Sequence, residues 1–191
     1  MLDVIEGQPP PLTIDEDARL AAQAVHDPDA FTVLYERYLN RVYRYLLSRV
    51  GNEQDAQDIT AQTFLAAWEG MRSYEGSGVF AAWLMGIARR KSADHFRRRQ
   101  KIIPLDDAER APHPAPMPED AAEQQLELDA VLRALHTLSP DRAEAVSLRI
   151  FAGLSAAQTG QIMGRSEDAV NMLVYRAIQD LRRLVKKEGL E

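Results

Sequence analysis

Seven basic side chains, Arg89, Arg90, Lys91, Arg97, Arg98, Arg99 and Lys101, fall within thirteen residues and are opposed there only by Asp94. The chemistry such a cluster offers is attraction to phosphate. At about 100° per residue, Trp83, Arg90, Asp94, Arg97 and Lys101 lie within about 40° of one line, a stripe roughly 27 Å long if the segment is helical. A solvated helix end whose arginines suit the negative pole of the helix dipole is the plainer alternative. Immediately before the stripe, Ser73-Tyr-Glu-Gly-Ser-Gly-Val-Phe80 forms a glycine-containing loop flanked by aromatics. Aromatics beside a basic groove can stack on unpaired bases, although Tyr74 and Phe80, read alone, are more often core staples of a helix corner. Asp55, Asp58, Gln62 and Thr63 give a neighbouring segment a polar, partly acidic face, which solvation alone would also explain.

Nothing else in the chain has the spacing of a reactive site. His26, His95, His113 and His136 are scattered, and there is no Ser-His-Asp order, carboxylate pair, phosphate-binding glycine loop or metal-ligand cluster. An enzyme is therefore the poor reading, and no catalytic residue, cofactor or metal is expected. The chain has no cysteine, which excludes a disulfide framework and thiolate zinc sites. Its longest nearly apolar run, Phe80 to Ala88, is about half what a bilayer span needs. A cytoplasmic protein, neither secreted nor inserted in a membrane, is expected.

These residues need elements to hold them. Of 191 residues, 46% are hydrophobic and 27% charged, enough for a core in one large or two small domains. The net charge of −6 is unevenly placed. Residues 1–28 carry −5, 29–101 carry +4, 102–125 carry −5 and 126–191 are neutral, so a basic block lies between two acidic ones. Ile102 to Ala121 holds five of the ten prolines without helical periodicity and is expected to be an extended linker.

Both blocks read as all-helical. Phe31, Leu34, Tyr35, Tyr38, Val42, Tyr43 and Leu46 follow the 3, 4, 7 spacing of one helix face, with Gly51 as the stop. A second helix is expected from about Asp55 to Met71, burying Ile59, Thr63, Ala67 and Trp68, and a third from Ser77 or Val79 to about Arg99. In the second block a helix from about Ala122 to Thr137 precedes Leu138-Ser-Pro-Asp141, a strong helix start, whose helix runs to Phe151 before Gly153. Ser155-Ala-Ala-Gln158 is a capping-box pattern, Gly164 a stop, and Ser166-Glu-Asp a further start. Val170, Val174, Ala177, Leu181 and Leu184 line the inner face of the last helix. Two helices on a tight glycine turn, the second long and amphipathic, describe a helix-turn-helix.

Taken in order, LYERYLNRVYRYL, DAQDITAQTFLAAW, YEGSGVFAAWLMGIARRKSADHFRRR and LSPDRAEAVSLRIFAGLSAAQTGQIMGRSEDAVNMLVYRAIQDLR resemble the signatures of bacterial RNA polymerase sigma factors of the extracytoplasmic-function (ECF) group. The resemblance covers about residues 17–101 and 122–187. It implies two small helical domains joined by a Pro-rich linker: an extension with a short helix (1–28), a region 2-like domain (29–101), the acidic linker (102–121) and a region 4-like helix-turn-helix domain (122–191).

By the same resemblance, Asp55, Asp58, Gln62 and Thr63 would meet core RNA polymerase. Tyr74, Phe80, Trp83, Arg89, Arg90, Asp94, Arg97 and Arg98 would meet the −10 element, and Arg149, Arg165, Ser166, Asn171, Met172, Tyr175 and Arg176 the −35 element. The linker would thread towards the polymerase cleft. Expected partners are core polymerase, promoter DNA and an anti-sigma factor. The function implied is promoter-specific initiation with strand opening. A sigma-like decoy that binds an anti-sigma factor or polymerase without initiating is the alternative, and a repressor binding DNA alone a third.

The chain departs from the family pattern at Ala61, Gln62, Thr159, Gly160 and Asn171. A mid-helix glycine costs about 1 kcal/mol relative to alanine, so the first helix of the helix-turn-helix is expected to be marginal. With Val170 as the buried reference, Asp168, Met172, Tyr175, Gln179 and Arg183 should point outward. Asn171 would then read adenine and Met172 thymine methyls, with Arg149, Arg165 and Arg176 on phosphates.

Overall fold

The computed structural model describes residues 14–74, 79–102 and 119–188, and every regular element among them is helical. The first half comprises α1 (Ile14–Ala24), α2 (Pro28–Val50), α3 (Glu53–Gly70), a 3-10 turn (Met71–Ser73) and α4 (Phe80–Ile102). The second comprises α5 (Glu119–His136), α6 (Pro140–Val146) continuing into a π-helical turn (Ser147–Phe151), α7 (Ala156–Met163) and α8 (Glu167–Glu188). The Gln-Pro-Pro-Pro tract, residues 75–78 of the glycine loop and most of the expected linker lie outside the described residues.

Local chemistry sets the helix ends. Asp27 accepts the Asp29 N–H at 3.0 Å, Pro28 occupies the first position of α2, and Gly51 closes that helix at φ +78°. The left-handed backbone at Gly51 is what favours glycine there. The Ser155 and Gln158 side chains exchange both bonds of a capping box, at 3.1 and 2.8 Å. Ser139 sits at the N-cap of α6, but its hydroxyl makes no capping bond, leaving Pro140 and Asp141 to start the helix.

The inner face of α2 buries Leu34, Tyr38, Val42, Tyr45 and Leu46 against Ile59, Phe64 and Ala67 of α3 and Leu84, Met85 and Ala88 of α4. Trp68, expected inside, is 41% exposed. Its ring meets Phe31, in the first turn of α2, edge-on at 4.9 Å. α1 is part of the bundle rather than an appendage, since Ala21 and Ala24 are buried in the same core. So is Asp17, whose carboxylate accepts from Tyr38 Oη and Arg37 Nη1. Burial, reinforced by that bond to Asp17, pushes the Tyr38 hydroxyl pKa far up.

The two halves are in contact. Leu132, Leu148, Ala152 and Leu154 from the second half bury into the core of the first, while Leu135, Leu138, Ala143, Val146 and Ala177 form a smaller core beneath α8.

Candidate functional site

A groove with a cavity of about 290 Å³ opens where the end of α3 meets α4, lined by Ala66, Gly70, Ser73, Trp83, Ile87, Arg90, Lys91 and Asp94. It contains three members of the stripe read from the sequence: Trp83, Arg90 and Asp94. Gly70 lies beside the indole, where a Cβ would be in ordinary contact with Trp83 Cζ2 at 3.4 Å. Tyr74 stands half-buried beside it, its ring 5.1 Å from that of Trp83, and burial raises its hydroxyl pKa, with help from Asp17. Arg90 and Arg98 are exposed, as is Arg97, which pairs with Asp94. The groove therefore presents an aromatic wall beside guanidinium groups, suited to a base and its phosphate.

Other residues assigned to this surface belong elsewhere. Phe80 is 2% exposed and packs at 5.3 Å on Tyr38, 5.6 Å on Trp83 and 5.7 Å on Tyr74, so its ring is a core staple with no face left for a base. Arg89 is directed at the second half of the chain: Nη1 donates to the Ile162 carbonyl at 3.1 Å, and Nε lies 3.5 Å from Oε1 of Glu144. On α3, Asp58 and Gln62 are exposed beside Ala61. Thr63 is fully buried and its hydroxyl donates to the Ile59 carbonyl at 2.7 Å, so it offers a partner nothing. Asp55 is half-buried, accepts from Arg99 at 3.3 Å, lies 3.3 Å from Nε2 of His95, and ties α3 to α4.

The helix-turn-helix is formed as expected. Gly164 ends α7 at φ +66°, and Ser166 caps α8 by accepting the Ala169 N–H at 3.2 Å. Asn171, Met172, Tyr175 and Arg176 are all exposed on one side of α8, Met172 at 49% and Tyr175 at 60%, while Val170 and Ala177 are fully buried. Asp168 and Arg183 point outward too, whereas Gln179 is half-buried. Arg165 pairs with Asp141 in an exposed bridge that solvent screens. Arg149 is otherwise occupied: its guanidinium donates to the Leu154 carbonyl and closes the turn before α7, which removes it from the phosphate set.

Gly160 corrects the expected weakness of α7. A Cβ there would sit 2.6 Å from the Arg165 carbonyl oxygen, and the Arg165 N–H donates to Gly160 O at 2.9 Å. Glycine is what lets α7 close against the turn. Its neighbour Thr159 is fully buried with no hydrogen-bond partner for Oγ1 among the described residues.

Sequence reading missed Glu144, a buried acid with three side-chain partners across the two halves. Although 8% exposed, it accepts from Tyr45 Oη at 2.8 Å, meets Arg49 Nε at 3.1 Å and faces Arg89. Burial, then the nearby Glu144 carboxylate, raises the Tyr45 hydroxyl pKa well above its ordinary value. Its only local signal is an acid set among Ala143, Ala145 and Val146 on an otherwise apolar turn.

Family models agree with this geometry: Sigma-70 region 2 matches residues 34–102 and Sigma-70 region 4 matches residues 128–181. The RNA polymerase sigma factor CarQ of Myxococcus xanthus is 32% identical over 163 residues, which span 85% of this chain and 93% of CarQ. The ECF sigma factor SigF of Caulobacter vibrioides is 31% identical, with 91% of this chain and 97% of SigF covered. The chain belongs to the ECF RNA polymerase sigma factors. The ECF sigma factor BldN of Streptomyces coelicolor is 40% identical over 85% of this chain, which spans 63% of the length of BldN.

Among solved structures, CnrH in complex with the cytosolic domain of CnrY superposes on this ECF chain with a TM-score of 0.74 at 27% identity, covering 91% of this chain and 99% of CnrH. The sigma factor RpoE of Bartonella quintana, solved with the anti-sigma factor NepR, gives 0.67 at 26% identity, covering 82% and 96%. The groove lies within the region 2 match, and the exposed side of α8 within the region 4 match. No helix among the described residues is long and apolar enough to cross a membrane.

Proposed function

We propose that this ECF sigma factor binds core RNA polymerase, directs it to specific promoters and promotes strand opening in the cytoplasm. The observation that carries the reading is the region 2 groove, in which Trp83 and Arg90 line one cavity beside Tyr74. Opening DNA needs no catalytic residue. It needs a site that holds an extruded base and single strand more tightly than duplex, so that binding offsets an unstacking cost of a few kcal/mol. Arg90, Arg97 and Arg98 follow the backbone beyond the groove. In region 4, Asn171 and Met172 face base edges, and Arg165 and Arg176 face phosphates.

Asp58 and Gln62 on the outer face of α3 meet the polymerase, with Leu65, 59% exposed, supplying apolar area beside them. An anti-sigma factor is the third partner, as the complexes of CnrH with CnrY and RpoE with NepR suggest by analogy.

The test mixes the purified protein with core RNA polymerase and fragmented genomic DNA of its source, then maps RNA 5′ ends. Discrete starts sharing a two-part upstream sequence, absent with core alone, are expected. Stable binding to core with no new starts would instead identify a decoy.

A further inference from the structure

Region 2 and region 4 meet across a small polar interface with an unusual balance. From region 4, Glu144 enters a site built by region 2, where Tyr45, Arg49 and Arg89 all address its carboxylate. Beside it Ser48 Oγ donates to Ser147 Oγ at 2.9 Å, and Arg44 stands 6.0 Å from the Phe151 ring. These contacts hold the halves together.

One contact opposes them. Arg41 is 8% exposed, and neither its Nε nor its Nη1 has a hydrogen-bond partner among the described residues. Gly153 of region 4 lies beside it, since a Cβ there would stand 3.9 Å from the Arg41 guanidinium, and burial lowers the Arg41 pKa, against the pull of Tyr38 and Asp17. A buried guanidinium with unsatisfied N–H donors destabilises the state that buries it, even with a carboxylate nearby. The interface thus combines a satisfied charge cluster with unsatisfied donors, which suits a contact that must open.

We propose that this interface is a reversible autoinhibitory latch, in which Glu144 of region 4 occupies Arg89 of region 2 and so withholds it from promoter DNA until polymerase and promoter separate the halves. The inference rests on the sigma function proposed above. In the closed state a carboxylate and a backbone carbonyl fill the donors of Arg89 that a phosphate would take. Opening frees Arg89 and hydrates Arg41, so one movement adds a DNA contact and relieves a strain.

The absence of cysteine allows a clean lock. A Ser48→Cys/Ser147→Cys double variant, treated with oxidised glutathione, should form one intramolecular disulfide in the free protein, read as a mass loss of two hydrogens and faster migration on a non-reducing gel. No disulfide in the free protein overturns the closed state, whatever the protein does with polymerase. With core polymerase and a promoter mapped for the unaltered protein, the oxidised lock should lower initiation at least about tenfold, with recovery on adding dithiothreitol. Equal initiation by the locked and reduced forms would refute the latch and leave the sigma reading intact. If the unaltered protein starts no transcripts, the sigma reading fails and the inhibitory role fails with it, while the disulfide still reports the closed contact. Glu144→Gln supplies the converse variant, since it keeps a hydrogen-bonding partner for Tyr45 while removing the charge facing Arg49 and Arg89. It should slow disulfide formation in the double-cysteine background and raise promoter affinity of the holoenzyme. Unchanged values of both would overturn the assignment to Glu144.

Discussion

Replacing glycine by alanine inside a helix normally stabilises it by about 1 kcal/mol, yet Gly160 and Gly86 should respond to that one change with opposite signs. At Gly86, within α4, a Cβ meets nothing within 4 Å, so only the propensity gain remains. At Gly160 the new Cβ would lie 2.6 Å from the Arg165 carbonyl oxygen, about 0.8 Å inside ordinary van der Waals contact. The obstacle is backbone, and it is tied back to Gly160 by the 2.9 Å bond from the Arg165 N–H. Relief requires moving the turn, which places the penalty in the upper part of the roughly 1–3 kcal/mol range for overpacking. Subtracting the propensity gain leaves a net loss of about 1–2 kcal/mol.

For a chain of this length about 2–4 °C of melting temperature accompanies each kcal/mol, so Gly160→Ala should lower Tm by about 2–8 °C and Gly86→Ala raise it by about 2–4 °C. Thermal and urea unfolding followed by circular dichroism provide the readout. If Gly160→Ala melted at or above the unaltered protein, the close approach of α7 to the turn would not be what sets this position.

Three other perturbations test the assignments. Thr159→Val removes a fully buried hydroxyl that has no partner among the described residues and should raise unfolding free energy by about 1 kcal/mol in urea titrations; a loss would mean the hydroxyl is satisfied. Phe80→Ala should cost about 3–5 kcal/mol in the same titration, because the ring is packed among Tyr38, Tyr74 and Trp83. Arg90→Ala should leave stability within about 0.5 kcal/mol while weakening promoter binding by the holoenzyme and lowering its salt slope by about one unit; a reversed pattern would return Phe80 to the DNA surface. Tyr38 and Tyr45 have hydroxyl pKa values raised on folding, so their contribution is fully present below the ordinary tyrosine value of 10.0 and is lost as pH rises beyond it. Tyrosinate absorbance against pH should show these two ionising only with unfolding, and a smooth early titration of all tyrosines would contradict their burial.

What could be read in advance was what is local. Caps at Asp27 and Ser155, stops at Gly51 and Gly164, and the inner faces of α2 and α8 depend on residues a few positions apart, and the helices begin and end close to those signals. Spacing also showed which way a side chain points, but not whether anything stands opposite. Trp68 meets the Phe31 ring yet stays 41% exposed, while Thr63 points inward and is sealed. Phe80 sits beside a basic stripe in sequence, yet its neighbour in space is Tyr38 from a different helix.

Long-range pairs left at most a faint trace along the chain. Glu144 finds Tyr45 across 99 residues and Asp17 finds Tyr38 across 21, so neither acid could be told from a solvated one. Gly160 was misjudged for a related reason. Propensity describes an isolated helix, and the carbonyl that decides this position belongs to the turn beyond it.

The π-helical turn at Ser147–Phe151 has a genealogical consequence. The Ala152 N–H reaches back five residues to the Ser147 carbonyl at 3.0 Å, so the turn holds one residue more than an α-helical passage between the same ends. In geometry it is one extra residue that the helix accommodates without breaking. Deleting one residue from it would restore α-helical pairing between the same ends, leaving Leu154 and the start of α7 in the core they now fill. In comparing this chain with a relative one residue shorter here, the gap belongs inside the helix, before Ala152, and not in the turn after Gly153.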